Sequence, residues 1–168
     1  MQGTPAEPLP GVADGVVLTK TFWSLDGQPV DFSSLTQNQR VIVVLQGTMA
    51  DNLYRQMAVL DLLPAGLEIE SPIAGDEAKL YPWLGAVTPA SLQDARDDRF
   101  VAAFYIGSQY RPVHPKTPEP RPTFRIAYIA RAVTPGQFVL PAGVVEDMYA
   151  PGIIARTGMG KLVIAPEK

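Results

Sequence analysis

Residues Arg40 to Gly47 read RVIVVLQG, a nearly continuous β-branched run of the kind found where a strand is central to a sheet or buried on both faces. Upstream, VVLTKTFW over Val16 to Trp23 alternates instead. Val17, Thr19, Thr21 and Trp23 share one face, and Val16, Leu18, Lys20 and Phe22 the other, so the period of two predicts a strand. Trp23 is expected in the core, where an indole buries a large area. Between the two runs lies SLDGQPVDF, where Asp26-Gly27 suits a tight turn, followed by a short strand around Gln28 to Phe32.

Downstream, NLYRQMAVLDLLPAG from Asn52 to Gly66 has the propensity of a helix and the punctuation of a strand. A strand from about Tyr54 to Asp61 is preferred, because it connects to Arg40 to Gly47 through a loop of hairpin length. That reading requires Arg55, Met57 and Val59 to share one face. LEIES is a further alternating strand, and the long connection after it carries a candidate helical turn near Pro89 to Asp94. RFVAAFYIG (99–107) and TFRIAYIARAV (123–133) resume strand patterning on either side of RPVHPKTPEPRP, a proline-dense arm that cannot enter a central sheet. GQFVLP, GVVEDMYA, GIIART and KLVIA then read as short strands separated by Pro or Gly.

Eight or nine strands with at most a short helix define the expected fold class. It is all-β, and such spacing of short strands is the signature of an antiparallel β-sandwich or barrel. At 168 residues one domain can bury roughly 70% of the surface of its unfolded chain. Residues 1–15, rich in Pro, Gly and small side chains, are expected to be a linker from upstream domains, and 16–168 the sandwich. The 17 prolines favour many turns and short strands over helices.

A net charge of -3 supplies no basic field for nucleic acid, so that partner is not expected. The absence of cysteine excludes a thiolate nucleophile and sulfur-ligated metal in this chain. No stretch approaches the roughly 18 consecutive apolar residues of a membrane span, and no membrane contact is expected of this domain. No cofactor is expected either.

Few residues of the sequence carry the marks of a chemical site. The single histidine, His114, lies between prolines in a solvated arm that orients an imidazole poorly. TGMGK near Thr157 lacks the spacing of a phosphate loop, and its glycines suit a hairpin turn. Asp94, Asp97 and Asp98 are interleaved with Arg96 and Arg99, which favours local ion pairs over calcium. Tyr81 and Trp83 in YPWLG leave open an adhesive or carbohydrate-binding role, since aromatic rings stack on sugars. Met148-Tyr149, closing a strand before Pro151, reads by composition as peripheral core.

DLLPAGLEIE, RDDRFVAAF, IARAVTPGQFVLP and VVEDMYAPGIIARTG, taken in order, resemble the last macroglobulin-like domain of bacterial alpha-2-macroglobulins, from about Thr19 to Pro166. The resemblance implies an antiparallel β-sandwich of the macroglobulin and fibronectin-III-like kind, a non-catalytic part of a large periplasmic endopeptidase inhibitor, often an inner-membrane lipoprotein, that collapses around an attacking protease after its bait segment is cut. It implies a partner in the same polypeptide, a neighbouring domain that in many members holds a Cys-x-Glu-Gln thioester. The family's shielding pair falls on Met148 and Tyr149, with Pro151 fixing the chain direction after them. The proline arm from Pro112 to Pro122 has no counterpart in this pattern.

Overall fold

Alternation and proline punctuation generate thirteen strands and three single-turn 3-10 helices among residues 11–109 and 120–167, the part described by the computed structural model. In chain order they are β1 (Val12–Asp14), β2 (Val16–Trp23), β3 (Leu35–Thr36), β4 (Arg40–Met49), β5 (Arg55–Leu62), β6 (Leu67–Ile73) and β7 (Leu92–Arg96). Then follow β8 (Arg99–Ile106), β9 (Thr123–Ala132), β10 (Gly136–Leu140), β11 (Gly143–Asp147), β12 (Ile154–Arg156) and β13 (Gly160–Ala165). The excess over eight or nine comes mostly from pieces of two to five residues, β1, β3 and β7 at sheet edges and β12 next to the edge strand β1. His114 and residues 112–119 of the proline arm lie outside the described residues.

A six-stranded sheet in the order β1-β12-β11-β5-β8-β7 faces a four-stranded sheet in the order β2-β4-β9-β6. A third, β10-β13-β3, is small and contains the one parallel pairing in the described sheets, Ile164 with Leu35. β4 sits between β2 and β9, and its side chains leave in two directions. Val41, Val43, Leu45 and Met49 enter the main core, while Ile42 and Val44 join a second cluster on the outer face. Burial on both sides is why RVIVVLQG shows no alternation.

From β5, Met57, Val59 and Asp61 point inward and are fully buried, with Arg55 on the same face. The period of two is that of a strand and rules out the helical reading. The expected hairpin with Arg40 to Gly47 does not form, however: the chain changes layers after β4, and β5 pairs with β8 and β11 in the other sheet. Phe100 and Phe104 of β8 meet Tyr128 and Phe124 of β9 across the core, with ring centroids 4.7 and 4.9 Å apart.

Other expectations give way. Trp23 lies on the outer face beside Trp83, because Val16, Leu18, Lys20 and Phe22 take the inner face of β2 and parity leaves the indole outside. Gln28 to Phe32 forms no strand beyond a bridge at Pro29: the Asp31 carboxylate accepts from the Ser33 amide at 2.8 Å and starts a 3-10 turn. No helical turn forms at Pro89 to Asp94. The Ser91 amide donates to Ala103 at 2.8 Å and draws the segment onto the sheet edge as β7. The helical turns come earlier, at Glu77–Leu80 and Pro82–Leu84.

Thr157 to Gly160 is a crossing between sheets and not a hairpin. The Thr157 amide donates to Gly143 at 2.9 Å, its hydroxyl accepts from the Gly143 amide, and the chain then departs to pair with β10. Within the stretch read as linker, Val12 to Asp14 pair with β12. At the opposite edge of the four-stranded sheet, β6 carries a register shift between Ile69 and Ser71, followed by Pro72.

Polar groups also cross the core. The Lys20 ammonium lies 2.7 Å from Asp61 Oδ1, with side chains 5% and 0% exposed, and the Tyr128 hydroxyl donates to Asp61 Oδ2 at 2.7 Å. Lys20 comes from one sheet and Asp61 from the other, so this ion pair links the two layers.

Candidate functional site

β11 delivers the chain to an exposed tip before β12 carries it back. Along GVVED the inner face takes Val145 and Asp147, both buried, and the outer face takes Glu146. Continued alternation puts Met148 on the outer face. Its amide donates to Gln56 of β5 at 2.9 Å, so the residue remains attached to the sheet while its side chain is 50% exposed.

Tyr149 follows at 81% exposure, and its backbone is far from free. Asp147 Oδ1 accepts from the Tyr149 amide at 2.8 Å and from the Ala150 amide at 3.1 Å, an Asx turn built by a buried carboxylate. The Asp147 amide donates to Ile153 at 3.0 Å, and the Ile153 amide to Ala150 at 2.9 Å, which closes the loop around the exposed Pro151. Met148, Tyr149 and Pro151 are therefore brought together at one tip, with two large side chains offered to solvent on a fixed backbone.

Behind the tip, Asp147 Oδ2 accepts from Arg55 Nη1 at 2.9 Å, and Arg55 Nη2 donates to Asp51 Oδ2 at 2.9 Å. Burial alone raises the Asp147 carboxyl. The Tyr149 amide, the Arg55 guanidinium and the Ala150 amide together outweigh it and hold the group below the usual carboxylate range. The turn thus keeps its anionic acceptor throughout the neutral range.

Beside the tip the outer face of the six-stranded sheet carries several exposed aromatic and aliphatic side chains among its polar ones. Tyr54 and Tyr105 stack at 5.7 Å with planes 6° apart, 44% and 49% exposed, and Tyr105 pairs with Gln56 in the row that Met148 extends. Leu60, Leu62 and Leu92 are also exposed. Scattered exposed apolar residues are ordinary, but these share one sheet surface.

Tyr81 and Trp83 do not form an open stacking platform. Both pack on the second cluster, over Ile42, Val44, Ala127 and Ile129, and the Trp83 indole donates to the Leu25 carbonyl at 3.1 Å. Gly27 approaches Trp83 so closely that an added Cβ would lie 2.6 Å from the ring. Arg125 alongside is committed to Gln46 and to the Leu84 carbonyl. In the β7–β8 hairpin, Arg96 meets Asp94 at 2.8 Å and Arg99 meets Asp98 at 2.9 Å, the local ion pairs expected there.

Sequence reasoning missed Arg55 and Asp51. The EDMYAP stretch contains the acid that turns the chain, but its cation lies 92 residues away and no local spacing announces it.

The family model described as Bacterial Alpha-2-macroglobulin MG10 domain matches residues 15–111. Alpha-2-macroglobulin of Escherichia coli (strain K12) is 37% identical over 155 residues, covering 86% of this chain and 8% of the relative. That of Xylella fastidiosa (strain Temecula1 / ATCC 700964) is 29% identical over 150 residues, covering 82% and 8%. The chain therefore spans about a twelfth of the length of these relatives. The cryo-EM reconstruction of native E. coli alpha-2-macroglobulin superimposes with a TM-score of 0.75 at 28% identity, covering 98% of this chain and 10% of that one. Salmonella alpha-2-macroglobulin reacted with methylamine gives 0.74 at 29%, covering 98% and 10%. By these matches and by its sandwich, the chain belongs to the bacterial alpha-2-macroglobulin MG10 domain family.

Proposed function

We propose that this chain is a non-catalytic module of a broad-spectrum protease trap and packs against a neighbouring thioester-type domain of the same polypeptide. Met148 and Tyr149 are the lid over the reactive bond, and Pro151 fixes the direction of the chain after it. The observation that carries this reading is the tip itself: two large side chains, 50% and 81% exposed, on a backbone tied by five hydrogen bonds. An acyl thioester survives in water only while water and nucleophiles are kept out, and a preformed apolar and aromatic cover does this without ordering itself at the moment of docking. A sandwich linked across its layers can also leave the bond as a rigid body when a cut elsewhere releases the contact. Kinship with bacterial alpha-2-macroglobulins supports the wider setting: a periplasmic inhibitor that meets attacking proteases as a whole protein.

The test is the double variant Met148→Ala/Tyr149→Ala in a longer protein that carries the neighbouring domain. Spontaneous hydrolysis of the thioester should accelerate on the order of tenfold or more. In the 168-residue chain the same changes should alter unfolding free energy by no more than about 0.5 kcal/mol, as expected for exposed side chains. An unchanged thioester lifetime together with unchanged protease capture would refute the lid.

A further inference from the structure

We infer that Arg55, backed by Asp51, is a positioning residue that holds the Met148–Tyr149 tip in its docking geometry; this rests on the lid reading above. At 81% exposure the Tyr149 side chain has little protein against it, so no apolar packing sets where it points. What sets it is the Asx turn, in which one oxygen of Asp147 serves both the Tyr149 and Ala150 amides. A carboxylate that only capped this turn could still rotate. Its second oxygen is fixed by Arg55 Nη1 at 2.9 Å, with the Arg55 side chain 12% exposed and that of Asp147 5% exposed. Charge-assisted bonds removed from water are the strong, directional ones.

The guanidinium is itself held. Its other terminal nitrogen donates to Asp51 Oδ2 at 2.9 Å, and Asp51 Oδ1 accepts from the Leu53 amide at 3.0 Å. One planar fork therefore joins the β4–β5 connection to the β11–β12 tip. A lysine, a point charge on a flexible stem, cannot reproduce the fork.

The experiment is amide hydrogen exchange on the 168-residue chain, comparing the parent sequence with Arg55→Met and Arg55→Lys. In Arg55→Met the Tyr149 and Ala150 amides should exchange roughly ten- to hundredfold faster, the loss expected for a charge-assisted bond, with Arg55→Lys in between. The amides of Val43 and Leu45 in β4 should keep their rates. Unchanged exchange at Tyr149, or equal loosening of β4, overturns the proposal. In the longer protein, Arg55→Met should shorten the thioester lifetime as Tyr149→Ala does. Shortening by Tyr149→Ala alone also overturns it. If neither variant shortens the lifetime, the lid reading falls, and the exchange result still decides for or against the clamp.

Discussion

Replacing Lys20 by Met tests how the two layers are joined. The ammonium lies 2.7 Å from Asp61, and the two side chains are 5% and 0% exposed. Met conserves most of the apolar stem but leaves a fully buried carboxylate with Tyr128 as its remaining side-chain partner. Breaking a buried pair on one side costs about 3–5 kcal/mol, because the surviving charge stays out of water. With a urea m-value of roughly 1–3 kcal/mol/M, the midpoint should fall by about 1 M or more. The triple variant Lys20→Met/Asp61→Leu/Tyr128→Phe removes every partner together and should regain most of the loss, since no charge or hydroxyl is then stranded. Urea titrations followed by tryptophan fluorescence report all three stabilities. A single-variant loss under about 1 kcal/mol, the worth of a surface pair, would refute the reasoning, as would a triple variant no more stable than the single.

Two further outcomes follow from the packing. Tyr128 has its phenol pushed well above its ordinary 10 by burial, then by the Asp61 charge and the hydrogen bond between them. The unfolded chain therefore loses that proton first, and the stabilisation is complete below pH 10 and is lost as pH rises above it. Thermal melts between about pH 9 and 11 should fall less steeply in Tyr128→Phe, and equal slopes would contradict this. Gly27 has φ +86°, and an added Cβ would meet Trp83 Cγ at 2.6 Å. Gly27→Ala should cost about 1–3 kcal/mol and change the near-UV circular dichroism of the indole pair. A variant with parental stability and spectrum would show that the outer cover tolerates displacement.

The strands were legible where burial imposes a period. β4 announced itself by having none. β5 was a strand for a reason other than the one expected: the short loop before it joins two layers instead of closing a hairpin, and it is the shared face of Arg55, Met57 and Val59 that marks the strand. The last four strands were marked by Pro and Gly. Parity also placed Lys20 with Val16, Leu18 and Phe22, but nothing nearby in the chain names Asp61, 41 residues on, as its partner. For Trp23 parity was right and size misled: the indole is large enough to suggest core, yet its side of β2 faces the smaller outer cluster. Met148 and Tyr149 were singled out by family likeness, since composition gave them only a peripheral packing role. Their support could not be read at all, because Arg55 reaches Asp147 only once β5 and β11 lie side by side.

The irregular edge of β6 has a consequence for crowded solution. A straight outer strand offers a row of unpaired amides and carbonyls on which another molecule can polymerise. Here the register slips between Ile69 and Ser71, and Pro72 withholds a donor, so that row is interrupted within seven residues. A second molecule arriving at this border finds no continuous template for fibre growth.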